Sequence, residues 1–132
     1  MTDPKILTIQ RLYEAFGRGD VDTILAGVSD DVDWQAAPLS TGAPWYGSYR
    51  GKDEVARFFK EIGTSVEVTE FTPLAFTSNN TDVMVAVRWG FTALATGKSL
   101  VADLFHWFRF ADGKVVFVRT LEESTATAAV FQ

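Results

Sequence analysis

The chain has 132 residues, which is enough for one domain built around a single hydrophobic core. Apolar residues make up 47% of it, so global disorder is excluded, and a net charge of -5 argues against the basic surface that nucleic-acid binding needs. The absence of cysteine excludes disulfides, thiol catalysis and cysteine-ligated zinc, and the single histidine, His106, excludes any metal site that needs two imidazoles.

The sequence also predicts neither a membrane span nor a signal peptide. No apolar run approaches the roughly 20 residues of a membrane span. The first ten residues lack a basic segment followed by an apolar stretch, which is how a signal peptide begins. We therefore expect a cytoplasmic protein with no membrane or nucleic-acid partner.

The first half of the chain predicts mainly helices. Asp3 is a suitable N-cap and Pro4 suits the first helical position, while Asp20 can cap a second, shorter helix. Apolar residues recur at spacings of three and four in the first and third helices. The predicted elements are helices over 3–18, 21–28 and 52–62, a turn at Asp30 and Asp31, a strand over 32–36 and an aromatic-rich loop over 37–51.

The second half changes to a period of two, which is typical of strands. Asp112 and Gly113 predict a tight hairpin between the last two strands, and Pro73 predicts a break in the first. Residues 124–132 read as a short helix or a frayed end. The predicted strands cover 66–76, 81–94, 99–110 and 115–121.

This order of elements predicts an α+β domain over residues 1–132, with three helices packed on one face of a strongly bent antiparallel sheet. The strands are longer than a domain of this size usually needs. Because long, twisted strands wrapped over helices enclose a cone, we expect one central cavity.

Three segments carry a resemblance to a known family. They are YEAFGRGDVDTILAGVSDDVDW (13–34), YRGKDEVARFF (49–59) and HWFRFADGKVVFVR (106–119). Together they resemble the nuclear-transport-factor-2-like superfamily, and within it the SnoaL-like and ketosteroid-isomerase-related proteins. The resemblance implies a cone-shaped fold with one cavity. It does not imply one function, because this superfamily contains isomerases, cyclases, hydrolases, dehydratases and non-catalytic modules.

The catalytic positions of that family can be followed onto this chain. The positions of the ketosteroid-isomerase phenol, general base and carboxylic acid fall on Leu12, Ala36 and His106. One carboxylate of the limonene-epoxide-hydrolase-like members falls near Thr120. The resemblance therefore argues against steroid isomerisation by the mechanism of that family, and it weakens an epoxide-hydrolase interpretation.

His106 and Glu122 are the candidate catalytic residues. Strand alternation places both on the cavity side of neighbouring strands, where a carboxylate could raise the imidazole pKa and fix its tautomer. Burial alone would lower that pKa, and in either case we expect the ring to titrate near neutral pH. Asp103 is an alternative partner for His106 if a bulge turns it inward. A core histidine beside a carboxylate at the rim remains the structural alternative.

The predicted ligand contacts are mostly aromatic. Only one of Arg88 and Trp89 can face the cavity, and we favour Trp89. Each aromatic position could instead be ordinary core. The predicted contacts are Tyr13, Trp34, Trp45, Tyr49, Phe58, Trp89, Phe108, Val118 and Thr120.

Three functions fit these residues. The first is an enzyme that binds a small, largely apolar molecule and acts on it without a cofactor or metal, by proton transfer. The second is a non-catalytic binding module, and the third is a dimerisation module with an incidental cavity. We also expect a homodimer, because strand alternation leaves apolar side chains on the outer face of the sheet: Phe105, Trp107, Phe117 and Leu121. Asp103, Arg109 and Arg119 on that face could pair between the subunits.

Overall fold

The structure is a computed structural model that describes residues 3–132. The order of helices and strands matches the predicted one, with one additional strand before the third helix. The elements are α1 (Pro4–Gly17), α2 (Val21–Ala26), β1 (Val28–Ala36), β2 (Gly47–Arg50), α3 (Gly51–Ser65), β3 (Val66–Ser78), β4 (Asp82–Ala93), β5 (Ser99–Ala111), β6 (Lys114–Glu122) and α4 (Ser124–Val130).

One sheet of six strands forms the framework, in the order β2-β1-β6-β5-β4-β3. Strands β3 to β6 form the predicted antiparallel meander. The sheet is antiparallel as predicted except at one pair, where β1 runs parallel to β6 and places Trp34 beside Val118. The chain can make this parallel pair because one helix and four strands separate its members, which is ample length for a crossover.

Capping side chains set the helix starts as predicted. The Asp3 carboxylate accepts a hydrogen bond from the Lys5 amide at 2.8 Å, and Pro4 follows at the first helical position. Asp20 accepts from the Thr23 amide at 3.2 Å and begins α2. The C-terminal residues form an ordered helix, α4, capped by Glu123.

The start of β1 corrects the predicted turn. Asp30 and Asp31 lie within the strand, where the pairing with β6 shifts between Val28 and Asp33. At this irregularity two consecutive carboxylates are both exposed. The strand therefore continues through a pair of residues whose composition is typical of a turn.

Strand β2 lies inside the segment that the sequence predicts as a loop. It is four residues long and pairs with β1 at the sheet edge, with Tyr49 opposite Trp34. Proline and glycine around it hide the strand pattern, and short edge strands tolerate such neighbours. The break predicted at Pro73 takes the form of a register shift between Pro73 and Ala75, and β3 runs on to Ser78.

Helices α1, α2 and α3 lie on the concave face of the sheet and form the core with it. Its fully buried members include Ile9, Val55, Val83, Phe91 and Val115. Within residues 3–132, no helix combines the length and the apolar character that a membrane span needs.

Candidate functional site

A narrow pocket lies inside the concave face of the sheet, with a volume of about 80 Å³. The predicted aromatic contacts Tyr13, Trp34, Trp45, Phe58, Trp89 and Phe108 lie on its wall, as do Val118 and Thr120 of β6. Helix α1 contributes Tyr13, the loop before β2 contributes Trp45, and the four central strands and α3 contribute the rest. The pocket therefore brings together side chains from both halves of the chain.

The pocket is narrower than a cone of long strands suggests, because aromatic rings fill most of the space. The Trp34 and Phe58 rings lie 5.4 Å apart, and those of Phe58 and Phe59 lie 5.1 Å apart. Trp45 and Trp89 meet edge to face at 5.6 Å. The remaining volume is about half that of an engineered cavity of roughly 150 Å³ that binds benzene. It holds a few heavy atoms.

His106 lines this pocket and is held by Tyr13. The Tyr13 hydroxyl lies 2.7 Å from His106 Nδ1, which joins α1 to β5 across 93 residues. The Phe71 ring stacks near the imidazole at 6.3 Å, and the Phe108 ring meets it edge to face at 5.6 Å. The imidazole thus sits among aromatic rings with one polar partner.

Burial makes both members of this pair neutral. It lowers the pKa of His106 to about 4 and raises the pKa of Tyr13 above its ordinary value. The expectation that His106 titrates near neutral pH is therefore wrong, because no carboxylate offsets the loss of water around the ring.

The direction of this hydrogen bond depends on the His106 tautomer. When the Tyr13 hydroxyl donates its proton to Nδ1, the ring proton lies on Nε2. In that tautomer His106, which lines the pocket, can offer Nε2–H to a bound molecule.

Glu122 lines the same pocket but does not pair with His106. In the strand register His106 lies opposite Thr120, and Glu122 lies opposite Leu104. Two residues along β6 correspond to roughly 7 Å. The hydrogen bond that Glu122 accepts comes from Thr127 Oγ1 of α4, at 3.2 Å. The expected direct pair is thus replaced by two separate polar groups on one wall.

The environment of Glu122 favours its protonated form. Burial raises the pKa of its carboxyl group, and the nearby Tyr46 and Thr127 hydroxyls offset part of this rise. Helix α4 covers this end of the pocket, so the elevated pKa depends on a helix that begins two residues later in the chain.

Tyr49 lies outside the pocket, against the prediction. Its ring packs on Phe58 at 5.2 Å and beneath the Arg57 guanidinium at 4.8 Å. Its hydroxyl donates to the Trp45 carbonyl oxygen at 2.9 Å. Tyr49 therefore stabilises the loop that carries Trp45 rather than the pocket wall.

The remaining charged candidates lie on the outer face of the sheet. Trp89 points inward, while Arg88 is exposed and binds Asp103 at 3.1 Å. Asp103 is therefore not a partner of His106. Arg109 binds Asp82 at 3.0 Å and Arg119 binds Asp33 at 3.1 Å, so each of these groups already has a partner in its own chain.

The predicted contacts did not include several residues of the pocket wall, and Phe16 and Phe71 are two of them. Phe16 lies three positions after Tyr13 on the apolar stripe of α1, so the stripe contained the signal. Phe71 lies opposite Trp89 in the β3–β4 register, which single-strand alternation cannot show. Two pocket tryptophans, Trp34 and Trp89, have enclosed indole N–H groups with no hydrogen-bond partner among residues 3–132.

A family model described as SnoaL-like domain matches residues 9–118, which confirms the resemblance noted from the sequence. No curated protein sequence matches the chain.

Solved structures with the same fold cover nearly the whole chain. An NTF2-like protein of unknown function from Burkholderia pseudomallei has 24% identity and a TM-score of 0.91, with 99% of each chain covered. TerC, co-crystallised with polyporic acid, has 22% identity and a TM-score of 0.88 over 98% of each chain. A protein provisionally assigned as a polyketide cyclase, from Xanthomonas campestris, has 21% identity and a TM-score of 0.84 over 98% of this chain and 97% of that one. At these identities the likeness establishes the NTF2-like fold.

Proposed function

The chain belongs to the SnoaL-like domain family, and from that premise we propose that it binds a small, largely apolar molecule and acts on it by cofactor-independent proton transfer. The molecule would carry a carbonyl or hydroxyl oxygen that reaches His106. The reaction class would be an isomerisation or cyclisation through an enol.

The observation that carries this proposal is the bond between Tyr13 and His106 inside an apolar pocket. A neutral imidazole with its proton on Nε2 is a hydrogen-bond donor. Such a donor polarises a carbonyl group and stabilises the oxyanion that forms when a neighbouring carbon loses a proton. Tyr13 holds the ring in that tautomer, so it acts as a positioning residue.

Glu122 would supply the base. Burial raises the pKa of Glu122 and lowers that of His106, so it makes the carboxylate a stronger base and the imidazole a weaker one. The carboxylate would remove the proton from carbon, while His106 Nε2–H would bind the oxygen. A separation of roughly 7 Å along β6 leaves room for a substrate between them.

The structural neighbours support a small-molecule role. TerC was crystallised with polyporic acid, and the Xanthomonas protein carries a provisional polyketide cyclase assignment. Both descriptions agree with a pocket that takes an oxygenated, largely apolar molecule.

A binding module without chemistry is the second candidate. The enclosed, unpartnered indole N–H groups of Trp34 and Trp89 favour it. A buried donor without a partner costs about 1–3 kcal/mol, and a ligand acceptor that reached it would recover that free energy.

Proton exchange separates the two candidates. We expect the protein to accelerate exchange of the α-protons of acetone, a ketone small enough for the pocket, in D₂O, followed by ¹H NMR. His106→Ala and Glu122→Gln should each lower the rate by about 10²–10⁴-fold, the usual contribution of a general acid or base. His106→Gln should retain binding of the ketone, and circular dichroism should show that the fold of each variant is intact.

Asp103→Asn is the matched control for Glu122→Gln, because it removes an exposed carboxylate on the neighbouring strand. It should leave the exchange rate unchanged. Binding of the ketone without any exchange above the buffer rate would replace the enzymatic proposal with the binding module.

A further inference from the structure

A second cavity opens on the surface beside the pocket, where the C-terminal ends of α1 and α3 meet α2 and the start of β3. Its volume is about 530 Å³. We call it the outer groove. Its floor and walls are mostly apolar, and they include Val21, Ile62, Val68 and Phe71.

The outer groove and the inner pocket share a wall of side chains. Phe16, Ile24, Phe59, Ile62 and Phe71 line both cavities. The Phe16 ring lies 6.0 Å from that of Phe59 and 5.1 Å from that of Phe71. Since the same side chains line both cavities, we expect rotation of these side chains to join them.

The two volumes indicate how a ligand would be divided between them. Sites for small molecules usually enclose about 300–1,000 Å³. The inner pocket, at about 80 Å³, is far below this range, while the outer groove falls within it. The inner pocket can hold the oxygen-bearing end of a molecule, but most of the molecule must lie elsewhere.

We propose that the ligand is elongated, with its oxygen-bearing end at His106 and a neutral apolar chain in the outer groove, passing between Phe16, Phe59 and Phe71. This inference rests on the proposed function of the inner pocket and adds the shape and charge of the substrate.

The charge of the groove decides what chain it takes. Glu70 is the charged member of its lining, and the hydrogen bond that its carboxylate accepts comes from Thr72 at 3.3 Å. No Lys or Arg is part of that lining, so an anionic chain would meet repulsion without compensation. A neutral apolar chain fits the groove.

Two helix residues keep the groove open. A Cβ added at Gly17 or at Gly63 would meet nothing within 4 Å. Gly63 lines the groove and has open space at its Cβ position, so we expect a large side chain there to fill part of the groove, which provides a direct test.

The test uses acetone as the short probe and 2-nonanone as the long one, with titrations followed by ¹H–¹⁵N NMR of the indole signals. We expect Gly63→Phe to weaken 2-nonanone binding at least tenfold and to leave acetone binding unchanged. Thr64→Phe, which places the same ring on the next, exposed position of α3, should change neither affinity. Val68→Trp places a large ring on the opposite wall of the groove and should weaken binding of the long probe in the same way. It provides the test if Gly63→Phe does not fold.

The outcomes distinguish the two proposals. If wild-type protein binds both ketones and both groove variants leave the affinity for 2-nonanone unchanged, the elongated ligand is wrong and the inner-pocket proposal stands. Equal losses for both probes also overturn the division into two cavities. If wild-type protein binds neither ketone, the proposed function fails, and this inference fails with it.

Discussion

At the scale of single residues, the partner of a side chain decides its chemistry more than its type does. His106 would be a base near neutral pH beside a carboxylate, but beside Tyr13 and aromatic rings its pKa falls to about 4. It is therefore a neutral donor. The pKa of Glu122 shifts in the opposite direction, upward, because α4 buries its carboxyl group. The division of roles between the two follows from these surroundings.

The low pKa of His106 predicts acid sensitivity of folding. The unfolded chain binds a proton at His106 below about pH 6.5, whereas the folded chain does so only near pH 4. The neutral imidazole thus contributes stability above pH 6.5 that is lost as the pH falls toward 4, at up to about 1.4 kcal/mol per pH unit.

His106→Gln removes this titration, so its free energy of unfolding should depend less on pH than that of the wild type between pH 6.5 and 4. Urea unfolding at a series of pH values measures the difference. Because the chain has one histidine, no second imidazole complicates the comparison. Parallel curves for the two proteins would contradict the burial of a neutral His106.

At the scale of elements, short segments complete the site that the long strands frame. Strand β2 fixes the loop that carries Trp45, and α4 covers Glu122 through Thr127. Helix α4 is held at its C-terminal end by Thr96, whose hydroxyl donates to the Val130 carbonyl oxygen at 2.6 Å. It also packs tightly on the 37–46 loop, where Gly42 has a φ of +106°.

The contact between Gly42 and α4 gives a prediction at this scale. A Cβ at Gly42 would lie 2.6 Å from the Ala128 Cβ, and its backbone conformation is strained for any L side chain. Gly42→Ala should therefore lower the free energy of unfolding by about 1–3 kcal/mol.

Gly63→Ala is the control, because its Cβ meets open space within α3. Helix propensity predicts a gain of about 0.5–1 kcal/mol for it. Urea unfolding of both variants tests the contrast. Equal stabilities would show that α4 does not pack on the loop as described.

At the scale of the whole molecule, the two faces of the sheet differ. The concave face is covered by helices, whereas the outer face exposes Phe105 and Leu121, each about half exposed and directly opposite one another. Met84 and Val101 are exposed on the same side. The charged groups expected to pair between subunits are bound within the chain, so any association through this face would be mainly apolar.

This exposed face predicts a homodimer. We expect sedimentation equilibrium at micromolar concentration to give twice the mass of one chain, because apolar patches of this kind are rarely left in water. Phe105→Glu should shift the mass to that of one chain.

Leu39→Glu is the matched control, since Leu39 is fully exposed in a loop away from the sheet. It should leave the mass unchanged. A wild-type protein with the mass of one chain would refute the homodimer.

The sequence was sufficient to predict most of the fold and the side of the sheet on which His106, Glu122 and Trp89 lie. These features depend on local patterns: apolar stripes at helical spacing, alternation in strands, and caps such as Asp3 and Asp20. The sequence was not sufficient to predict the strand at Asp30 and Asp31. Two consecutive aspartates are typical of a turn, but the pairing of β1 with β6 holds them in a strand. The sequence also could not separate Tyr49 from the pocket residues, because its position depends on β2.

By itself, the sequence determined the family, the order of elements and the wall on which the polar groups lie, because each of these follows from the spacing of residues along the chain. Only the tertiary structure decided the partner of each group. Tyr13 and His106 are 93 residues apart, and they meet at 2.7 Å because α1 packs on the concave face of the sheet, a contact that no local sequence pattern predicts. The tertiary structure also decided the size of the pocket, because packing of aromatic rings from distant segments, and not the length of the strands, sets how much space remains.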